Sequence, residues 1–135
     1  MALFANLGNY KNFGLLVMRA GLGVMMILHG LPALQGGPAA WRETGQAMGH
    51  LHIYFFPVFW GFMSAVTMTV GGLFCILGLW FRLVCILMVI NFAVAAASHF
   101  AAGESILKAS HAIELVFAFF GLIFLGAGSI SVDKS

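Results

Sequence analysis

Charged side chains are nearly missing from this chain. Its 135 residues include six lysines and arginines and four aspartates and glutamates, 7% in all. A soluble domain carries about 25%, so a water-facing surface is excluded for most of the molecule. The net charge of +2 comes without a basic run, which excludes a nucleic-acid surface. Cysteine is scarce too. Cys75 and Cys85 both sit inside apolar runs with no CxxC pair, so no disulfide framework is present and both read as small buried hydrophobes. What fills the space is apolar: 62% of residues are hydrophobic and the mean hydropathy is +1.05. The solvent for such a chain is lipid.

A membrane span needs about 20 apolar residues. Four segments qualify, over residues 13–34, 54–79, 82–100 and 110–127. The expected fold is an all-α membrane protein: a four-transmembrane-helix up-down bundle forming a single domain over residues 1–135. Lys11 followed by an apolar run imitates a signal peptide, but Arg19 interrupts that run and three more spans follow, so it reads as a retained helix. Gly-Leu-Pro after His29 is expected to turn the chain onto the surface. Pro57 suits the first turn of the second span. "GLWFR" makes a tight second link, and Gly126 and Gly128 close the last helix. The first loop reads "AAWRETGQAMGHLHI", with Trp41, Met48 and Leu51 at helical spacing and Arg42, Glu43 and Gln46 elsewhere. That pattern predicts a short amphipathic helix on the membrane surface; an irregular loop with one interfacial tryptophan is the alternative.

Four spans place both termini on one side. Lys11, Arg82 and Lys134 lie there, with Arg19 within snorkelling reach. Arg42 and Lys108 lie opposite, beside Glu43 and Glu104. The positive-inside rule then favours cytoplasmic termini in a bacterial inner membrane. On the same topology all five histidines, His29, His50, His52, His99 and His111, fall on the non-terminal side. His50 and His52 read as solvated loop residues, and His111 as interfacial. His29 and His99 differ, because each ends a long apolar run. Glu114 stands out most, since a carboxylate inside a membrane is costly and normally faces a partner or a proton path. His111 and Glu114, three apart, share a helix face. Arg19 lies about 15 Å along the helix from His29, so the two do not form one site. Arg19 either snorkels to the interface or faces inward to meet an anion, a carboxylate or a polar head group.

Four stretches, "HGLP" (residues 29–32), "FPVFWG" (56–61), "GGLFCILGLWFR" (71–82) and "GAGSISVD" (126–133), occur in an order and spacing that resemble the DoxX family of small bacterial membrane proteins. The resemblance implies a four-helix membrane bundle associated with redox chemistry, with relatives among quinone-linked subunits. Carried over by position, it implies Arg19, His29, His99 and Glu114 as cofactor-binding residues. Relatives commonly have a lysine where this chain has Ala33 and a glutamate where it has Met68 or Thr69. The loss of both is explained if they pair in relatives, because a lone membrane charge is costly.

Three functions follow. A quinone-linked redox subunit would use the aromatic fourth span and the small residues "AVAAAS" as a slot, with His29, His99 and Glu114 at the polar end. A haem or metal protein would use His29 with His99, or His111 with Glu114; no ligand spacing here marks a metal site. A non-enzymatic accessory or scaffold subunit would use the glycine-rich stretches for close helix contact. The partners expected are the lipid bilayer and either a second copy or a redox protein.

Overall fold

The computed structural model describes residues 3–46, 49, 52 and 54–133. After a short 3-10 turn over Ala5–Tyr10 come five helices: α1 (Lys11–Gln35), α2 (Gly37–Gly45), α3 (Pro57–Leu77), α4 (Phe81–Ala101) and α5 (Ile106–Leu125). Four segments, Ala5–Gln35, Pro57–Leu77, Phe81–Ala101 and Ile106–Leu125, are long and apolar enough to cross a membrane. Their lipid faces carry exposed Val24, Leu73, Leu83, Ile90, Phe117 and Phe124. The core is narrow and centres on α4, whose Phe81, Val84, Cys85, Met88 and Phe92 are buried. Phe92 stacks on Phe119 of α5, centroids 6.2 Å apart and planes at 11°.

Helix order around the bundle follows the small residues. α1 lies against α3 because Gly23 meets Gly72: a Cβ on Gly23 would stand 2.5 Å from the Gly72 carbonyl oxygen, and one on Gly72 would stand 2.7 Å from that of Gly23. Such close approach is what small residues permit between membrane helices. α3 then packs on α4 and α4 on α5. Among the described residues, no Cα of α1 comes within 8 Å of one of α5. The α1–α5 seam is therefore the widest between neighbouring helices of the bundle, bridged at its non-terminal end by the rings of His29 and His111.

The first loop departs from expectation. Helix α1 runs through Pro32 to Gln35, and the chain turns at Gly36 and Gly37, where Gly37 has φ +76°. Helix α2 starts at once and runs antiparallel to the start of α3, with the Trp41 backbone against Gly61 and Gly45 against Pro57. Trp41 is half-buried, its ring 4.8 Å from that of Phe62. The amphipathic helix exists, with Arg42 and Glu43 exposed, but glycines at 45 and 61 draw it onto α3. Met48, Leu51 and His50 lie outside the described residues. Helix α5 starts four residues earlier than expected, because nothing after Ser105 breaks it, and Gly126 (φ +76°) ends it.

Residues 126–133 fold back across the terminal end of the bundle. Val132 and Asp133 donate backbone N–H groups to the carbonyls of Leu77 and Gly78, both at 3.0 Å. The Asp133 carboxylate accepts from the N–H groups of Trp80 (3.0 Å) and Phe81 (2.8 Å), capping α4 from 52 residues away. Trp80 has φ +47°, a conformation unfavourable for a bulky side chain and here held by that cap. Asn12 Oδ1 accepts from Ser129 N–H at 3.0 Å, so the N-terminal and C-terminal segments meet.

Candidate functional site

The polar residues divide between the two ends of the bundle. At the terminal end, Arg19 is 0% exposed. It does not snorkel. Its guanidinium donates to the Ile76 carbonyl at 3.3 Å and to the Ile130 carbonyl, while Nε has no partner among the described residues. Ile76 is in the last turn of α3, where unpaired carbonyls gather and a cation is favoured. Cys75 Sγ donates to the Arg19 carbonyl at 3.6 Å. Arg19 thus ties α1 to the end of α3 and to the C-terminal segment. What it meets is backbone carbonyl, a neutral partner that needs no acid within the membrane.

The opposite end holds the histidines. His29 on α1 and His111 on α5 bring their rings together, with centroids 5.6 Å apart and planes at 62°. Both are exposed. Glu114 lies three residues further along α5, about 4.5 Å deeper; it is exposed and has no partner among the described residues. Its stripe continues through Phe117 (73% exposed) and Gly121. On α1 the matching turns carry Met25 and Leu22. The terminal end of this seam widens into a groove of about 880 Å³ lined by Lys11, Leu15, Met18, Leu125 and Ser129 among others.

His99 is placed differently. At the end of α4, its Nδ1 lies 2.9 Å from Glu104 Oε2, with the two side chains 40% and 33% exposed. The ring contact of His29 is with His111, whereas His99 is paired with Glu104. Among the described residues no three histidines, cysteines, aspartates or glutamates gather as a metal site. His52 lies in the loop before α3 beside Tyr54, ring centroids 6.5 Å apart.

The sequence pattern marks His111 as interfacial, and the fold brings its ring to that of His29. The three-residue offset of His111 from Glu114 was the available signal. Sequence reading missed Asn91, which accepts a hydrogen bond from Ser64 at 2.7 Å across α3 and α4, although a single asparagine in an apolar run is such a signal. The two positions at which the family resemblance implies a lysine and a glutamate, Ala33 and Met68 or Thr69, fall on the facing helices α1 and α3. Gly30 packs against Met68 and Thr69, and Ala33 lies one turn further along α1. Thr69 Oγ1 is buried with no partner among the described residues.

The DoxX family model matches residues 14–102. That stretch includes Arg19, His29 and His99, and stops before His111 and Glu114. No curated protein and no solved structure gives a significant match.

Proposed function

The chain belongs to the DoxX family, and from that premise we propose that this integral membrane protein is a redox-associated subunit of the bacterial inner membrane, binding a quinone or quinol at the far end of the α1–α5 seam. The observation that carries the reading is the His29–His111 ring pair, with Glu114 one turn below it, on an otherwise apolar surface. A quinone site needs an apolar slot and a few convergent polar groups at the ring oxygens. The residues present fit: imidazole N–H groups donate to a carbonyl oxygen, and Met25, Leu28 and Phe117 supply exposed apolar surface beside them. At the other end of the same pair of helices a groove lined by Leu15, Met18 and Leu125 offers apolar surface.

When bound, a quinone supplies two-electron, two-proton redox chemistry, with the electrons exchanged with a partner redox protein. The chain's own part is binding and proton traffic. His29 and His111 hold the ring oxygens and face the non-terminal aqueous side. Glu114 would take or give a proton within the span, and His111 on the same helix face would pass it outward. His99 is held by Glu104 at the same end of the bundle. Arg19 lies at the other end and keeps the fold instead of the ligand. With both termini cytoplasmic, the site opens on the periplasmic side.

The test is to purify the protein in mild detergent, extract it with organic solvent and assay the extract for quinone. The wild type is expected to carry quinone, with His29→Gln, His111→Gln and Glu114→Gln each reducing it and His52→Gln leaving it unchanged. An extract free of quinone, together with no binding of added ubiquinone, overturns the reading.

A further inference from the structure

We propose that two copies of the chain pair through the α1–α5 face, each covering the other's Glu114. The starting point is the cost of that carboxylate. Glu114 is exposed, has no partner among the described residues, and lies nine residues below Ser105, about 13 Å along the helix axis. Acyl chains do not accept a carboxylate at that depth; intramembrane acids face protein or a water-filled cavity. Something must therefore cover the stripe it stands on.

The glycines say where the cover lies. Where α1 and α2 touch α3, glycines mark the contact, as Gly23, Gly30, Gly61 and Gly72 do; α4 and α5 touch through larger side chains such as Phe92 and Phe119. Gly14 and Gly21 on α1 and Gly121 on α5 are different. They are exposed, and a Cβ built on any of them meets no atom within 4 Å. By helical phase Gly121 shares the Glu114 stripe on α5, while Gly14 and Gly21, seven residues apart, share the face of α1 turned away from its buried side, Gly14 lining the terminal groove. Small residues facing lipid have no use inside this chain, but they let a second membrane helix approach closely.

Charge complementarity selects a second copy as the occupant. A two-fold axis along the membrane normal keeps every residue at the depth of its mate. His111 and Glu114 differ by about 4.5 Å in height, a gap their side chains can span. The stripe carries a hydrogen-bond donor and an acceptor, so Glu114 of one copy meets His111 of the other, and the reverse contact forms by symmetry. The lipid face of α3 and α4 has no such need, because Asn91 there is already hydrogen-bonded by Ser64. This inference shares His111 and Glu114 with the quinone reading, the second copy closing the pocket over them, and the two are read out separately, by chain number and by quinone content.

Single cysteines test it. Cys75 and Cys85 are 0% exposed and serve as a silent background. In membranes under mild oxidant, Phe117→Cys is expected to cross-link into a covalent dimer, and Leu83→Cys, on the lipid face of α4, is not. Native mass spectrometry from lipid nanodiscs is expected to read two chains for the wild type. The Gly21→Leu/Gly121→Leu double variant should halve that mass while still folding, since both sites are open in the single chain. Equal cross-linking at residues 117 and 83, a single chain in nanodiscs, or capture of a different protein by the cysteine at 117 overturns the proposal. The two readings fail separately: a dimer that binds no quinone removes only the quinone site, and a single chain that binds quinone removes only the interface.

Discussion

Replacing Arg19 with methionine keeps the length of the side chain and removes its five N–H donors. The carbonyls of Ile76 and Ile130 then lose their partner inside the bundle. A buried polar group left without a partner costs about 1–3 kcal/mol, so Arg19→Met is expected to destabilise the protein by about 2 kcal/mol. The readouts are thermal unfolding in detergent and protease sensitivity of residues 126–133. Arg19→Lys should recover only part of the loss, because an ammonium lacks the planar fork that reaches two carbonyls at once. Asp133 acts on the same segment. Asp133→Ala removes the cap on Trp80 and Phe81 and should cost about 1 kcal/mol, whereas Asp133→Asn, still a good capping residue, should cost less. Neither role was readable from residue type. A buried arginine and an anchoring one look alike in sequence, and an acid 52 residues from the helix it caps gives no local signal.

At the scale of elements, contact between α1 and α3 depends on glycine at 72. A Cβ there would stand 2.7 Å from the Gly23 carbonyl oxygen, so Gly72→Ala forces the helices apart and should cost about 1–3 kcal/mol, as overpacking does; thermal unfolding in detergent measures it. The lysine and glutamate that the family resemblance implies in place of Ala33 and of Met68 or Thr69 give a paired test. Ala33→Lys alone is expected to lower the yield of folded protein, and Ala33→Lys with Thr69→Glu to restore it; if both single changes are harmless, the pairing idea fails. Helix number and rough extent were legible, because length and hydropathy are local properties. The position of α2 was not. Its approach to α3 depends on glycines at 45 and 61 meeting backbone from another element, and amphipathic spacing reports only which residues share a face.

For the whole molecule, topology is the property that function depends on. Asn12 bonds Ser129, so the two terminal segments share one end of the bundle and the described histidines share the other. With cytoplasmic termini, a green fluorescent protein fused at the C-terminus should fluoresce and alkaline phosphatase fused there should be inactive; a reporter inserted after Gly103 should give the reverse. The sequence by itself determined a four-span membrane protein of the DoxX family, with its histidines gathered on one side, because composition and hydropathy follow from what lipid tolerates. Only the tertiary structure decided that His29 meets His111 while His99 holds Glu104, that Arg19 turns inward to backbone carbonyls, and that Glu114 is left on an open seam. Those outcomes depend on the azimuth and register of each helix. Both are set by contacts between residues far apart in the chain, glycines for α1 and α2 on α3 and packed side chains such as Phe92 on Phe119 for α4 on α5, and no periodicity within a single helix encodes them.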